Sequence, residues 1–425
     1  MTSLPQPGRP GAGAPRQRQA AFVFIFISAI TTAMSFGLMI PILPNLLKQF
    51  TGGDTAQATD WNVLFSTVGG LMSFFAGPVL GVLSDRFGRR PVLLLSLAGL
   101  GCDFLFMAFA PTLLWLLAGR MISGATSGAF STANAYVADV ARPEERARLF
   151  GLIGSAFSFG FVAGPALGGL LGEISLRAPF IAAALLTLAN ALYGYFIVPE
   201  SLPPERRTER FELRKANPLG SLTLLRSHRD LFGLAGIFFL NQLAQMIWPA
   251  IFVLYTGYRY HWSPLTVGIV MMAGGLIGVG VQSVLVGPCV RRFGERGTLL
   301  IGLSFATAAF AYYSWAPSGA FYLVGMPFSS LSGLITPGLQ GLMTRHVGPS
   351  EQGQLQGANQ SMGGIASVVG PSVFGFSFAW AVRNPQFHAP GVSLAIAAAI
   401  TAVCLLLTFR TPNVATLAPR PAHGT

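Results

Sequence analysis

Of the 15 carboxylates in this 425-residue chain, Asp103 alone falls deep inside a long apolar run, and one cation, Arg120, falls inside the next. The two runs meet near Pro111. If both are helices, Asp103 lies about eight residues before the turn and Arg120 about nine after it. At about 1.5 Å per residue, both sit roughly 12–14 Å below the surface that carries the turn. Equal depth on neighbouring antiparallel helices permits an ion pair. Burial and a nearby arginine act on a carboxyl proton in opposite directions, so the group is suited to take up and release a proton. Two plainer readings stand beside this one. The pair is a static tie between helices, or Arg120 snorkels to the outer surface.

A second set of charges is compressed into Gly81-Val82-Leu83-Ser84-Asp85-Arg86-Phe87-Gly88-Arg89-Arg90-Pro91. Trp61–Leu83 before it carries no charge, and Pro91–Gly119 after it carries only Asp103. Gly88 supplies the backbone reversal, and Pro91 suits the first turn of the next helix. Another charged loop follows the next pair of apolar runs, with Asp139, Glu144, Glu145, Arg146 and Arg148 around Pro143. Opposite charges on one face make a latch; a solvated loop is the plainer alternative, because exposed pairs contribute little. Gly160, Gly164, Gly168 and Gly172 recur every four residues, with Pro165 and Gly169 beside them. On a helix they form a flat stripe that admits a neighbouring backbone. Amides inside apolar runs (Asn134, Gln242, Gln245, Gln282, Gln340 and Asn359), together with Trp248, are candidates to line a cavity for an amphipathic ligand. Bridging between helices is the alternative for each. Cys102, Cys289 and Cys404 have no metal-ligand spacing, so neither a metal site nor a cofactor is expected.

These residues sit in a chain that is 52% hydrophobic and only 10% charged, against about 25% charged for a soluble domain. An all-α membrane protein follows, with about twelve transmembrane helices. The expected spans are 20–47, 60–83, 91–109, 112–138, 147–172, 178–198, 231–256, 264–288, 297–315, 318–344, 352–381 and 390–409. The net charge of +12 is a topology signal and not a nucleic-acid footprint. All but five of the 27 Lys and Arg residues (Lys48, Arg120, Arg177, Arg259 and Arg383) fall on one side if the spans alternate, which makes that side, with both termini, cytoplasmic. The expected organisation is a tail at 1–19, a six-helix bundle at 20–198, a linker at 199–230, a second bundle at 231–410 and a tail at 411–425. The bundles are pseudo-symmetric. A shift of 206 positions brings Arg86-Phe87-Gly88 onto Arg292-Phe293-Gly294, Pro143 onto Pro349 and Gly164-Pro165 onto Gly370-Pro371.

The loop at 81–90 matches G-x-x-x-D-R-x-G-R-R and so resembles the signature between helices 2 and 3 of the major facilitator superfamily. Leu116-x-Ala118-x-Arg120-x-x-Ser123-Gly124 resembles that superfamily's motif with a membrane-embedded arginine. Gly164-Pro165-Ala166-Leu167-Gly168-Gly169 is similar to the G-P-x-x-G-G signature of its drug/proton antiporters. With Gly37–Pro44, Leu97–Asp103 and Gln352–Gly357, the resemblance runs from about residue 20 to 380 and points to the tetracycline/proton antiporter branch. Thr32, Gly278 and Ala306 stand where members of that branch carry an aspartate, a histidine and an aspartate.

The resemblance implies proton-coupled efflux of amphipathic drug-like compounds by alternating access in the inner membrane, tetracycline-like compounds included. Asp103 and Arg120 would couple protons. Gly81, Asp85, Arg86, Gly88, Arg89, Arg90, Asp139, Glu145 and Arg146 would gate. Gly160, Gly164, Pro165, Gly168 and Gly169 would form the antiporter stripe. The expected partners are the bilayer, a small amphipathic substrate and protons, with a monomer sufficient. A metabolite porter of the same fold and a non-transporting membrane sensor are the rivals. No catalytic constellation appears, so no enzyme is expected.

Overall fold

Backbone polar groups cannot be left unpaired in hydrocarbon, so apolar runs of this length must become helices. The computed structural model describes residues 15–410 apart from 142, 209–216, 218, 225–228 and 349–350, and it is built of such helices. Residues 1–14 of the expected N-terminal tail, all of the expected C-terminal tail and much of the expected linker therefore lie outside the described residues.

Span 1 comprises α1 (Pro15–Met39) and α2 (Leu43–Phe50), span 2 is α3 (Thr55–Phe87) and span 3 is α4 (Arg89–Phe109). Span 4 comprises α5 (Leu113–Ala125) and α6 (Ala129–Val140), followed by α7 (Pro143–Ile174) as span 5 and α8 (Ala178–Ile197) as span 6. In the second half, α9 (Arg229–Gln245) and α10 (Ile247–Tyr260) form span 7. Next come α11 (Pro264–Gly280), a π-helical turn at Val281–Leu285, and α12 (Val286–Trp315), which breaks at Gly294 where spans 8 and 9 meet. Finally α13 (Gly319–Ser330) and α14 (Ile335–Thr344) form span 10, α15 (Gln352–Arg383) span 11 and α16 (Val392–Arg410) span 12. The twelve expected spans are present. Span 1 begins at Pro15, five residues before the expected start, with the proline in a first turn that needs no amide donor.

Spans 1, 4, 7 and 10 are interrupted, at 40–42, 126–128, 246 and 331–334. Three of the breaks have a proline as cause. Its ring opposes the carbonyl four residues earlier, and Pro44, Pro249 and Pro337 face the carbonyls of Ile40, Gln245 and Gly333. Span 4 has no proline there. Gly124 precedes its break and Gly128 ends it, and Thr126 Oγ1 donates to the carbonyl of Ile122 at 2.9 Å. The 206-residue repeat is preserved in the backbone. Gly88 and Gly294 both take positive φ, +106° and +67°, and Pro165 and Pro371 occupy equivalent places in two 32-residue helices.

The chain separates into two compact units. The first comprises Met1–Met39, Phe75–Gly164 and Arg177–Asn217, and the second Ile40–Phe74, Pro165–Leu176 and Pro218–Thr425. Phe24, Leu93, Leu97, Tyr136 and Ile153 centre the core of the first. Leu234, Phe238, Leu299, Leu339 and Leu355 centre that of the second. In the second unit, the starts of span 2 and the ends of span 5 therefore pack with C-terminal helices.

Candidate functional site

In the first unit, α4 and α5 form the hairpin expected near Pro111. Asp103 is fully buried and forms an ion pair with Arg120, whose side chain is 11% exposed. Arg120 Nε also donates to Asp103 Oδ1 at 3.3 Å. The depth argument is met, and the side chains face each other. Gly119 makes the room, because a Cβ there would stand 2.8 Å from Asp103 Oδ1. A carboxylate and a guanidinium out of water are tolerated only as such a pair. Beyond them, Arg177 donates to the carbonyls of Ala108 and Ala110 and ties span 6 to the same end of span 3. Thr32 lies elsewhere in this unit, beside a small cleft it shares with Ser28, Leu97, Ala133 and Phe157.

The charged loop folds around Arg89. Its guanidinium bridges Asp85 at 2.6 Å and Asp139 at 3.0 Å, and it donates to Ser84 Oγ at 2.9 Å. Asp85 and Asp139, from the last turns of α3 and α6, are thus brought to one cation. Arg90 turns away to the carbonyl of Tyr195, with its guanidinium over the Tyr195 ring. Arg86 is exposed and lies over Phe87. Glu145 and Arg146 are exposed on the first turn of α7, and among the described residues neither joins the Arg89 cluster. Nothing approaches the face of Gly81 where a side chain would project. The second unit holds an equivalent arrangement with the signs reversed. Glu295 and Arg345, 206 positions beyond Arg89 and Asp139, form an ion pair, and Arg296 donates to the carbonyls of Thr408 and Phe409.

The glycine stripe of α7 serves two contacts. In the first unit, a Cβ on Gly164 would lie 2.7 Å from both Gly37 Cα and the carbonyl oxygen of Met34, and Gly160 sits as tightly on Ile30. In the second unit, Gly169 meets Pro264 and Leu265, and Gly268 of α11 meets the carbonyl of Pro165. Gly168 is buried.

The candidate cavity residues do not form one cluster. Asn134 is half-buried on α6 in the first unit. In the second, Gln245 accepts from Trp248 Nε1 at 3.2 Å, and Trp248 stacks on Phe310. Gln242 reaches the face of Gly363, one turn beyond Asn359. Asn359 is 6% exposed, and among the described residues neither of its amide atoms has a hydrogen-bond partner. Gln340 is half-buried on α14, and Gln282 is exposed in the π-helical turn. Gly278 faces open space, whereas Ala306 is buried in the second core. Among the described residues, no group of three or more His, Cys, Asp or Glu is placed to hold a metal.

Several residues escaped the sequence reading. Asp60 at the start of α3 pairs with Arg383 at the end of α15. Nearby, Asn62 Nδ2 donates to the carbonyl of Ala250 at 2.8 Å, and Thr67 meets Ser372 at 3.4 Å. The ion pair joins residues 323 apart, and nothing local in the sequence marks them as partners. Glu200 is a second omission. It sits in the charged segment after span 6, where one more acid carries no signal.

Residues 25–371 match the model of the Major Facilitator Superfamily. The tetracycline resistance protein, class C, of Escherichia coli is 36% identical over 385 residues, covering 91% of this chain and 95% of its own. The class B protein of Escherichia coli is 33% identical over 350 residues, 82% and 86% of the two chains. Among solved structures, the nucleoside transporter NupG superposes with a TM-score of 0.73 and a point mutant of it with 0.75, the mutant at 13% identity over 92% of this chain and 100% of that one. The human organic anion transporter MFSD10 gives 0.65 at 24% identity, over 93% and 100%.

Proposed function

The chain belongs to the major facilitator superfamily, and from that membership we propose that it exports amphipathic drug-like molecules in exchange for protons. It is a multi-pass membrane protein and a secondary transporter, not an enzyme. The observation that carries the drug reading is the similarity to tetracycline resistance proteins along nearly the whole chain. Tetracycline-like compounds are the first substrates to test. In this reading the membrane is the inner membrane, with both termini and the Arg89 cluster on the cytoplasmic side, where short arginine-rich loops remain. The 20–198 and 231–410 bundles, joined by the 199–230 linker, rock about a midplane site.

The interrupted spans support that placement, because discontinuous helices mark binding sites in transporters built from repeats. Asn359 supplies a buried amide free to bond a ligand. The Asp103–Arg120 pair carries the coupling, since binding a proton at Asp103 would release the arginine. The Arg89 cluster gates one face, and the stripe from Gly160 to Gly169 lets span 5 slide on its neighbours. A monomer contains all of these parts.

Everted membrane vesicles energised to an acid interior test the proposal. Addition of tetracycline should dissipate the pH gradient, read by acridine orange fluorescence, only in vesicles that contain the protein. If neither tetracycline nor a panel of amphipathic cations moves protons while the protein binds a metabolite, the drug-export reading fails.

A further inference from the structure

The carboxylate of Glu200 faces the first turn of α4, just after span 6 ends. It accepts from the backbone N–H of Arg89 at 2.8 Å and of Arg90 at 3.3 Å. It also gathers the N–H groups of Ser201 and Leu202 at 3.0 and 3.1 Å. The first amide donors of a helix have no partner within it, and its N-terminus is the positive end of its dipole. A carboxylate satisfies both needs. The cap also explains Gly88, which has φ of +106° and whose Cβ would stand 2.6 Å from the carboxyl carbon of Glu200. Any side chain at 88 would be strained and would evict the cap.

The residue held by its backbone, Arg89, is the one whose guanidinium gathers Asp85 and Asp139. The chain leaving Glu200 closes on the same group. Ser201 Oγ donates to Asp139 Oδ2 at 3.3 Å, and the N–H of Thr208 donates to the carbonyl of Asp85 at 3.1 Å. Tyr136 donates to the carbonyl of Pro199 at 2.8 Å and fixes the start of this segment.

We infer that Glu200 is the positioning residue of the Asp85–Arg89–Asp139 cluster, and that residues 200–208 are a strap fastening the following linker to it. The step from position to transport rate rests on the reading that this cluster gates. At the position of repeat two equivalent to Glu200 stands Leu406, which has no carboxylate to make such a cap.

The test separates these two steps. Cys102, Cys289 and Cys404 are replaced by serine in the full chain, and a reporter is added as Ser84→Cys, at a site 1% exposed beneath Arg89. N-ethylmaleimide labelling then reads the order of the cluster, and drug efflux reads function. Glu200→Ala should raise the labelling rate about tenfold, the effect of losing one charge-assisted cap. Glu200→Gln, which keeps one acceptor oxygen, should give a smaller rise. The maximal efflux rate should fall in the same order, with KM unchanged.

Unchanged labelling in well-folded Glu200→Ala would overturn the assignment, and so would a rise in KM with the rate preserved. Faster labelling with normal efflux would leave the positioning role standing and defeat the gating reading. If Glu200→Ala does not fold, Glu200→Gln and Glu200→Asp decide by the same two readouts.

Discussion

Removing the charge of Asp103 should expose what the buried pair does. Asp103→Asn keeps the shape but leaves Arg120 as an uncompensated cation, with its side chain 11% exposed. Breaking a buried pair from one side costs about 3–5 kcal/mol. The lower end applies here, because the amide oxygen of asparagine still accepts from Arg120 Nε. At about 1.4 kcal/mol per factor of ten, that is roughly a hundredfold loss in the folded-to-unfolded ratio. Asp103→Asn with Arg120→Gln removes both charges, and replacing a whole pair is close to neutral. Thermal unfolding in detergent should therefore rank the wild type and double variant together, with the single variant below. Transport should break that ranking, because neither variant can carry a proton at 103. Both should bind drug but fail to accumulate it against a gradient in everted vesicles, at any pH. A stable double variant that pumps uphill with the wild-type pH profile would refute proton coupling here and reduce the pair to a tie between spans 3 and 4.

Two further outcomes test the moving parts. Gly164→Leu puts a Cβ 2.7 Å from Gly37 Cα, against about 3.5–4.0 Å for carbon contacts. It should cost about 1–3 kcal/mol by overpacking and block drug/proton exchange; normal exchange would mean that the stripe has no bearing on the cycle. Asp60 and Arg383 are exposed enough, at 34% and 51%, that neutralising either should change stability by less than about 1 kcal/mol. Joining Asp60→Cys to Arg383→Cys through a reducible thiol cross-linker should nonetheless arrest efflux until reductant is added, and undiminished efflux of the cross-linked protein would show that this contact never opens.

Chemistry that depends on local pattern was legible in the sequence. A carboxylate and an arginine equally far from one turn could pair or point apart, and the structure pairs them. Gly88 announced a reversal because the chain had to turn between two apolar runs. The proline breaks in spans 1, 7 and 10 were readable in principle from Pro44, Pro249 and Pro337, but length alone filled each span with one continuous helix. Long-range partners were not legible. Asp60 and Arg383 each read as an ordinary helix-end charge, and Glu200 as one acid in a charged segment. The stripe on α7 was visible, but not its division between Gly37 in one unit and Pro264 in the other. Likewise, an apolar run with an amide cannot say whether the amide finds a partner, as Gln245 does with Trp248, or lacks one, as Asn359 does.

The two halves keep one backbone plan and spend it on different chemistry. Gly88 and Gly294 reverse the chain at equivalent points, and Arg90 and Arg296 each take carbonyls from the last helix of their own half. The pair beside them is retained with its signs exchanged, Arg89–Asp139 in one half and Glu295–Arg345 in the other. Conserving the tie while inverting its polarity means that the geometry of two loops is what both halves need, and that charge type is free to diverge. The buried pair follows no such rule. The positions equivalent to Asp103 and Arg120 are Ala309 and Met326, each only 8% exposed and apolar. A second buried pair would carry a second desolvation cost in a half whose corresponding interior is closed by packing. Intramembrane charge is therefore concentrated in spans 3 and 4, while the second half offers amides and aromatic rings. In the proposed exchange, the first half would therefore hold the proton and the second would meet the drug.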